Sequence, residues 1–263
     1  MCVQTKRYVR TFAVYEYINN IEGSVIMFNG KNKAITFSYD DGVTQDIRLI
    51  ELFNKYGLRA TFNLNSELLG KSGSLVRNGV GISHDKVNPE DVKHIYEGHE
   101  VAVHTLTHPR LPDIADDDEI VRQVELDRIK LSDLVGYEVC GMAYPCGGVN
   151  NDERTAAIIR ERTGVKYARA LETNGSFALQ EDLYRFKGTV YHHEEWDKLF
   201  ELGEKFVSLQ STTPAIFYIW GHAYEFDIFP ERWQKLEEFF GMISGRDDIF
   251  YGTNKEVLLA KNK

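Results

Sequence analysis

The sequence predicts an α/β fold in a single domain, a parallel barrel of alternating strands and helices. Three observations carry that prediction. Short apolar, β-branched runs alternate with helical patterns along most of the chain. About eight strands and six or seven helices follow one another in near-regular succession, and at 263 residues that count favours a barrel over an open doubly wound sheet. Neither G-x-G-x-x-G nor G-x-x-x-x-G-K-[ST] follows any strand, which weakens the nucleotide-binding alternatives.

The elements are predicted in order. KAITFSY (33–39) reads as a strand, and TQDIRLIELFNKYG (44–57) as a helix with Ile47, Ile50 and Phe53 on one face and Gly57 as its stop. RATFNLN (59–65) is the next strand. Residues 66–87, rich in Gly, Ser and Asn, read as a long functional loop. NPEDVKHIYEG (88–98) has an Asn cap, Pro at the first helical position and a closing Gly. HEVAVH (99–104) is a short strand. The amphipathic helix over 116–135 opens on Asp116, Asp117, Asp118 and Glu119, which favour the positive end of its dipole and need no functional explanation. Strands follow at 141–145, 165–169, 188–191, 215–220 and 248–252, with helices at 151–163, 194–209, 230–243 and 254–260. Residues 1–30 read as an N-terminal extension and 31–263 as one domain, with no internal repeat or linker to divide it.

Composition narrows the function. A net charge of −9 with no Lys/Arg cluster argues against a nucleic-acid partner. No run approaches the roughly 20 apolar residues that span a bilayer, so no membrane partner is expected. The first twenty residues lack an apolar h-region and an A-x-A-like cleavage site. Cys2, Cys140 and Cys146 are too few and too odd in number for a disulfide framework, and C-x5-C lacks zinc-knuckle spacing. A soluble, cytoplasmic protein is expected, with its oligomeric state open.

Chemistry in such a barrel gathers at the C-terminal ends of the strands. The first strand ends in Asp40-Asp41-Gly42 and the second carries Asn63 and Asn65. The third ends in HTLTH (His104 to His108), the fourth in AYPCGG, the fifth at Arg169, and the strand at 215–220 runs into His222. Singly these are ordinary: an H-x-x-x-H is mostly coincidence, an Asp-Asp-Gly is usually a turn, and a lone Arg is usually an ion-pair partner. Together they indicate a metal site. With a four-residue spacing, one helical turn aims both imidazoles at one point, and two imidazoles with one carboxylate make the open three-ligand site of a catalytic zinc. One aspartate binds the cation, which offsets the repulsion of its neighbour; the other stays free to take a proton. His84, His94, His99, His192 and His193 lack such a context and read as surface or structural.

These residues resemble a known family. TFSYDDG is similar to the T-F-D-D-G signature of the polysaccharide deacetylases (NodB-homology, carbohydrate esterase family 4), and HTLTH to the H-[ST]-x-x-H signature. ATFNLNS, AYPCGG and FYIWGHAYEFD resemble further motifs in the same order, over about residues 31–258. The resemblance implies a distorted (β/α)7-type barrel and metal-dependent removal of acetyl groups, N-acetyl foremost, from an acetylated oligosaccharide or glycoconjugate. It implies Asp40 as general base and His222 as general acid. Asp41, His104 and His108 would ligate a divalent metal, zinc foremost, with Co2+, Ni2+ and Mn2+ as alternatives. The Tyr144-Pro145-Cys146 segment would bind substrate, with the Cys146 N–H facing the oxyanion. The family's third-motif arginine falls at Ala143, so Arg169 is expected to supply that charge. Trp196 or Trp220 would wall the acetyl site, and Glu225 or Asp227 would orient His222. Two other readings stand beside this one: an amidohydrolase on a small cyclic amide, allantoinase-like, and a carbohydrate-binding pseudoenzyme.

Overall fold

The computed structural model describes residues 27–193 and 196–260, so most of the predicted extension, residues 1–26, lies outside it. Strand β1 (Lys33–Asp40) is buried at all eight positions. Its side chains alternate between two environments, as the strand period requires. Phe37 packs against Phe53 and Phe240, whereas Thr36 Oγ1 donates to Asn254 Oδ1 at 2.8 Å. Both faces are covered, as expected of a parallel sheet.

The remaining strands are β2 (Ala60–Leu64), β3 (Ser74–Arg77), β4 (Val80–Ser83), β5 (Glu100–Val103), β6 (Gly141–Ala143), β7 (Tyr167–Thr173), β8 (Phe186–Gly188), β9 (Val190–Tyr191), β10 (Ala215–His222) and β11 (Ile249–Tyr251). The sheet runs β8-β7-β6-β5-β2-β1-β10-β9, with parallel pairing throughout. β8 pairs with β7 while β9 pairs with β10. Only Thr189 separates them, so segment 186–191 brings the two edges together as one interrupted stave. The result is a nearly closed barrel of seven staves, the distorted (β/α)7 barrel that the resemblance implies. β11 adds to the lower half of β1, at Lys33–Ile35, beside the half that pairs with β2.

Outside the barrel lie α1 (Asp46–Lys55), α2 (Val92–Ile95), α3 (117–135), α4 (Glu153–Arg162), α5 (Trp196–Ser208) and α6 (Glu231–Ile243); α7 (Asn254–Leu258) follows β11. The predicted 116–135 helix is present, capped by Asp116 accepting from Asp118 N, with a π-helical stretch at Arg122–Leu126. On α1 the buried apolar face is Leu49, Ile50 and Phe53, while Ile47 is 45% exposed. The expected Ile47 face is therefore corrected: six residues from Phe53 place Ile47 about 120° round the helix, whereas Leu49 and Ile50 fall at i−4 and i−3. Between helices and sheet lies the main apolar layer. A second apolar cluster, including Ala34, Tyr167, Ile216, Tyr218 and Trp220, joins β1, β7 and β10 to Val257 and Leu258 of α7. Among the described residues no helix is long and apolar enough to cross a membrane.

Residues 66–87, expected to be one long loop, instead contain the antiparallel hairpin β3–β4. Asn78 (φ 51°) and Gly79 (φ 76°) turn it, the pairing of two left-handed residues that a tight hairpin turn uses.

Candidate active site

Strand ends and hydrogen bonds set this site. After Asp40 the chain turns through Asp41 (φ 86°) and Gly42 (φ 62°). A Cβ at Gly42 would be strained at that φ and would meet the Leu64 Cδ2 methyl at 2.8 Å, so glycine suits the turn. The turn separates the two carboxylates. Asp40 accepts from Asn63 Nδ2 at 2.8 Å on Oδ1 and from Arg169 Nη2 on Oδ2. Asp41 faces the histidines.

His104 follows β5. Its backbone N–H donates to Leu64 O at 2.8 Å and lies 3.2 Å from the buried Asp127 carboxylate, and Asn65 Nδ2 donates to the Thr105 carbonyl at 2.9 Å. The expected helical turn between His104 and His108 is not what joins them. The segment is irregular, and Thr105 (φ 68°) and His108 (φ 63°) take left-handed conformations, tied by His108 N donating to Thr105 Oγ1 at 3.1 Å. The spacing works by a different geometry, and the rings lie 4.9 Å apart. Of six non-glycine residues with positive φ among the described residues, Asp41, Thr105, His108 and Cys146 stand at this one site. Backbone strain of this kind collects where function over-determines the chain.

The donor atoms of Asp41, His104 and His108 lie within 4.8 Å of one another. Asp41 Oδ1 is 3.9 Å from His104 Nε2 and 3.6 Å from His108 Nε2. His104 Nδ1 is 2.8 Å from the Ala143 carbonyl; a carbonyl only accepts, so Nδ1 carries the proton and Nε2 presents its lone pair to the site. His108 has a matching arrangement: the Cys146 thiol donates to His108 O at 3.3 Å, leaving sulfur lone pairs toward Nδ1 at 3.6 Å. Burial lowers His104 to about 4 and also lowers His108, so both are neutral. Burial would raise Asp41, but the His84 hydrogen bond and the Lys86 charge outweigh it and hold the carboxylate well below its usual range. One anionic oxygen and two neutral imidazole nitrogens, aimed inward and within reach of one ion, fit a divalent cation.

The other predicted residues converge on the same cavity, which encloses about 620 Å3. Arg169 is fully buried within β7, which continues to Thr173; it is not at the strand end as expected. Its guanidinium pairs with Asp40 and lies 4.2 Å from the Trp220 ring centroid. His222 ends β10 with Nε2 4.0 Å from Asp40 Oδ2 and Nδ1 3.1 Å from Glu225 Oε1. Burial opposes the charge on His222, but Glu225, with Asp41 and Asp40 behind it, raises it to about 9. Burial likewise opposes the Glu225 charge, and His222 outweighs it to hold the carboxyl at about 2. Glu225 is thus the carboxylate beside His222; Asp227 instead accepts from Trp233 Nε1 and Gln45 Nε2. Trp220 lines the cavity, while Trp196 packs against His192 and Phe226. Tyr144 and Cys146 line it too. Pro145 is buried and does not line it, and the Tyr144 hydroxyl turns away to donate to Tyr184 O at 3.0 Å.

Four neighbours were not expected from the sequence. His84 Nε2 lies 3.1 Å from Asp41 Oδ2, and Lys86 Nζ donates to Asp41 O at 2.7 Å. His193 lines the cavity, and its Nδ1 accepts from Arg232 at 2.8 Å. The Tyr191 hydroxyl donates to Glu225 Oε1. Of the histidines read as structural, His99 and His192 are buried and His94 is exposed. For His84 and Lys86 the available signal was Asn78-Gly79, a hairpin turn that would return the chain toward the barrel.

Fold and site together define a (β/α) barrel whose C-terminal mouth gathers an Asp-His-His cluster that could hold a metal ion, with Asp40, Arg169, His222 and Glu225 beside it. A polysaccharide deacetylase family profile matches residues 29–167, more than half of the chain, and the chain belongs to that family. No curated protein sequence matches it. Among solved structures it resembles a Mycobacterium smegmatis protein assigned to the polysaccharide deacetylases (15% identity, 88% of this chain and 90% of that one, TM-score 0.59). It also resembles a mutant of BA3943, a CE4-family pseudoenzyme with restored activity (17% identity, 86% and 68%, TM-score 0.54). A third is a family 4 carbohydrate esterase from Streptomyces lividans in complex with acetate (12% identity, 84% and 93%, TM-score 0.51). At these identities the likeness concerns the fold.

Proposed function

We propose that this protein is a divalent-metal-dependent deacetylase that removes acetyl groups, N-acetyl foremost, from an acetylated oligosaccharide or glycoconjugate. The observation that carries the reading is the convergence of three cation donors with a separate carboxylate and a charged histidine on one cavity. A binding protein has no need of that second pair.

Asp41, His104 and His108 would hold the cation, zinc foremost, with Co2+, Ni2+ and Mn2+ as alternatives. Bound there, it would polarise the acetyl carbonyl and acidify a water. Asp40 takes the proton from the attacking water as general base. Arg169 and Asn63 hold its carboxylate in one orientation, each on a different oxygen. The backbone N–H of Cys146 faces the oxyanion that forms at the acetyl carbon. His222, kept as an imidazolium by Glu225, donates to the departing amine or alkoxide. Trp220 and Tyr144 wall the acetyl group.

Acetate release from a panel of acetylated mono- and oligosaccharides, with and without added divalent cations, tests the reading. Cation-dependent release is expected. A cation-loaded protein that frees no acetate from any of them, or that instead opens cyclic ureides, would overturn it.

A further inference from the structure

The β3–β4 hairpin forms a two-stranded sheet apart from the barrel sheet, and its returning arm is bonded to the active-site turn at several points. Thr44 N donates to Asp85 O at 2.9 Å and Val87 N to Gly42 O at 3.0 Å. The other arm braces it: His84 N donates to Gly73 O at 2.8 Å and Lys86 N to Lys71 O at 2.9 Å. Segment 84–87 is therefore held between 71–73 and 42–44, and two of its side chains end on Asp41.

Those two side chains address different parts of Asp41. The buried Lys86 ammonium donates to the backbone carbonyl at 2.7 Å. His84 Nε2 sits 3.1 Å from Oδ2, while Oδ1 is the oxygen that faces His104 and His108. The His84 ring is fixed in turn by an edge-on contact with Tyr224, 5.1 Å between centroids. The carboxylate thus has Oδ2 on His84 and Oδ1 among the two imidazoles, with the Lys86 ammonium 3.6 Å from that second oxygen. Without the His84 contact, the longer Lys86 ion pair at Oδ1 is left to oppose rotation about the Cβ–Cγ bond.

We propose that the hairpin is a clamp on the metal site and that His84 is a positioning residue for Asp41, fixing which carboxylate oxygen is offered to the cation. The proposal rests on the metal-dependent reading above. Partners of this kind behind a metal ligand are worth about 10–100-fold in metal affinity.

Co2+ is the probe, because its visible absorption reports the geometry around the ion as well as occupancy. Binding to the full chain is titrated against a competing chelator, with circular dichroism as the check on folding. His84→Ala should weaken Co2+ binding by about 10–100-fold and shift the absorption bands. His84→Gln, which can donate to Oδ2, should restore most of both. Val76→Ser, on the 70% exposed face of the same hairpin, should match wild type. An alanine variant with wild-type affinity and superimposable bands overturns the clamp, as does a loss that glutamine does not restore. A wild-type protein that takes up no Co2+ removes the metal-site reading itself, and the clamp with it.

Discussion

Replacing Glu225 by Gln tests the acid half of the machinery. The substitution keeps the shape of the side chain and removes its charge. In the wild type His222 stands at about 9 against an ordinary 6.5, a difference of about 2.5 units, or roughly 3 kcal/mol in favour of the imidazolium at 1.36 kcal/mol per unit. Glu225 is the largest favourable contributor, and burial works the other way. With the charge gone, burial is opposed only by the more distant Asp40 and Asp41. The basic limb of kcat/KM against pH should therefore move down by about 2 units, measured on whichever acetylated sugar proves the best substrate. Stability gives a second readout. His222, raised, stabilises the fold fully below 6.5 and loses that contribution as pH rises through about 9. Glu225, depressed, contributes above 4.5 and loses it as pH falls through about 2. The two titrate as one coupled pair, so the gap in unfolding free energy between wild type and variant should be widest between 4.5 and 6.5 and close on the alkaline side. A variant whose basic limb coincides with that of the wild type would refute the assignment of His222 as the acid held charged by Glu225.

Arg169→Met should lower kcat and cost up to about 3–5 kcal/mol of stability in denaturant titrations, because it removes the guanidinium paired with the buried Asp40 carboxylate and leaves it Asn63 and the more distant His222; a variant with wild-type kcat and midpoint would remove Arg169 from the site. Asp40→Asn and His104→Ala should part company in metal analysis. The first is expected to keep stoichiometric cation and lose about 10²–10⁴ in kcat, and the second to lose the cation itself. Gly42→Ala should destabilise by at least about 1–3 kcal/mol, since it puts a Cβ at positive φ and 2.8 Å from Leu64 Cδ2; an unchanged melting temperature would show that the turn is not fixed.

What was legible in the sequence follows from where burial leaves a mark. β1 is covered on both faces, and KAITFSY sets Ile35, Phe37 and Tyr39 in alternation with Thr36 and Ser38, so the strand is plain from its period of two. The hairpin is largely exposed at Ser74, Val76, Arg77, Val80 and Gly81, so no alternation betrays it, and His84 and Lys86 were lost with it. The His104/His108 spacing was informative although the local conformation was misjudged. Left-handed Thr105 and His108 serve the same convergence as a helical turn would, and a β-branched residue in that conformation has no sequence signature. The pairing of Glu225 rather than Asp227 with His222 turns on a three-residue offset within one 3-10 turn, which side chain hydrogen bonds decide and composition does not.

Arg169 reaches the Asp40 carboxylate from the strand next to the one where the resemblance implies an arginine. The resemblance places an arginine at position 143, where this chain has Ala143. In the sheet Ala143 of β6 is the register partner of Arg169 on β7. The two positions are thus at the same height in the barrel, one stave apart, and neighbouring staves stand about 4.8 Å from each other. A guanidinium on a long flexible stem reaches across that gap, and the Arg169 head meets Asp40 Oδ2 from β7. That reach needs a small residue at position 143 and a surface for the side chain. Ala143 supplies the first, and the face of Trp220, 4.2 Å away, supplies the second. In this chain the cation against that carboxylate oxygen is delivered from β7.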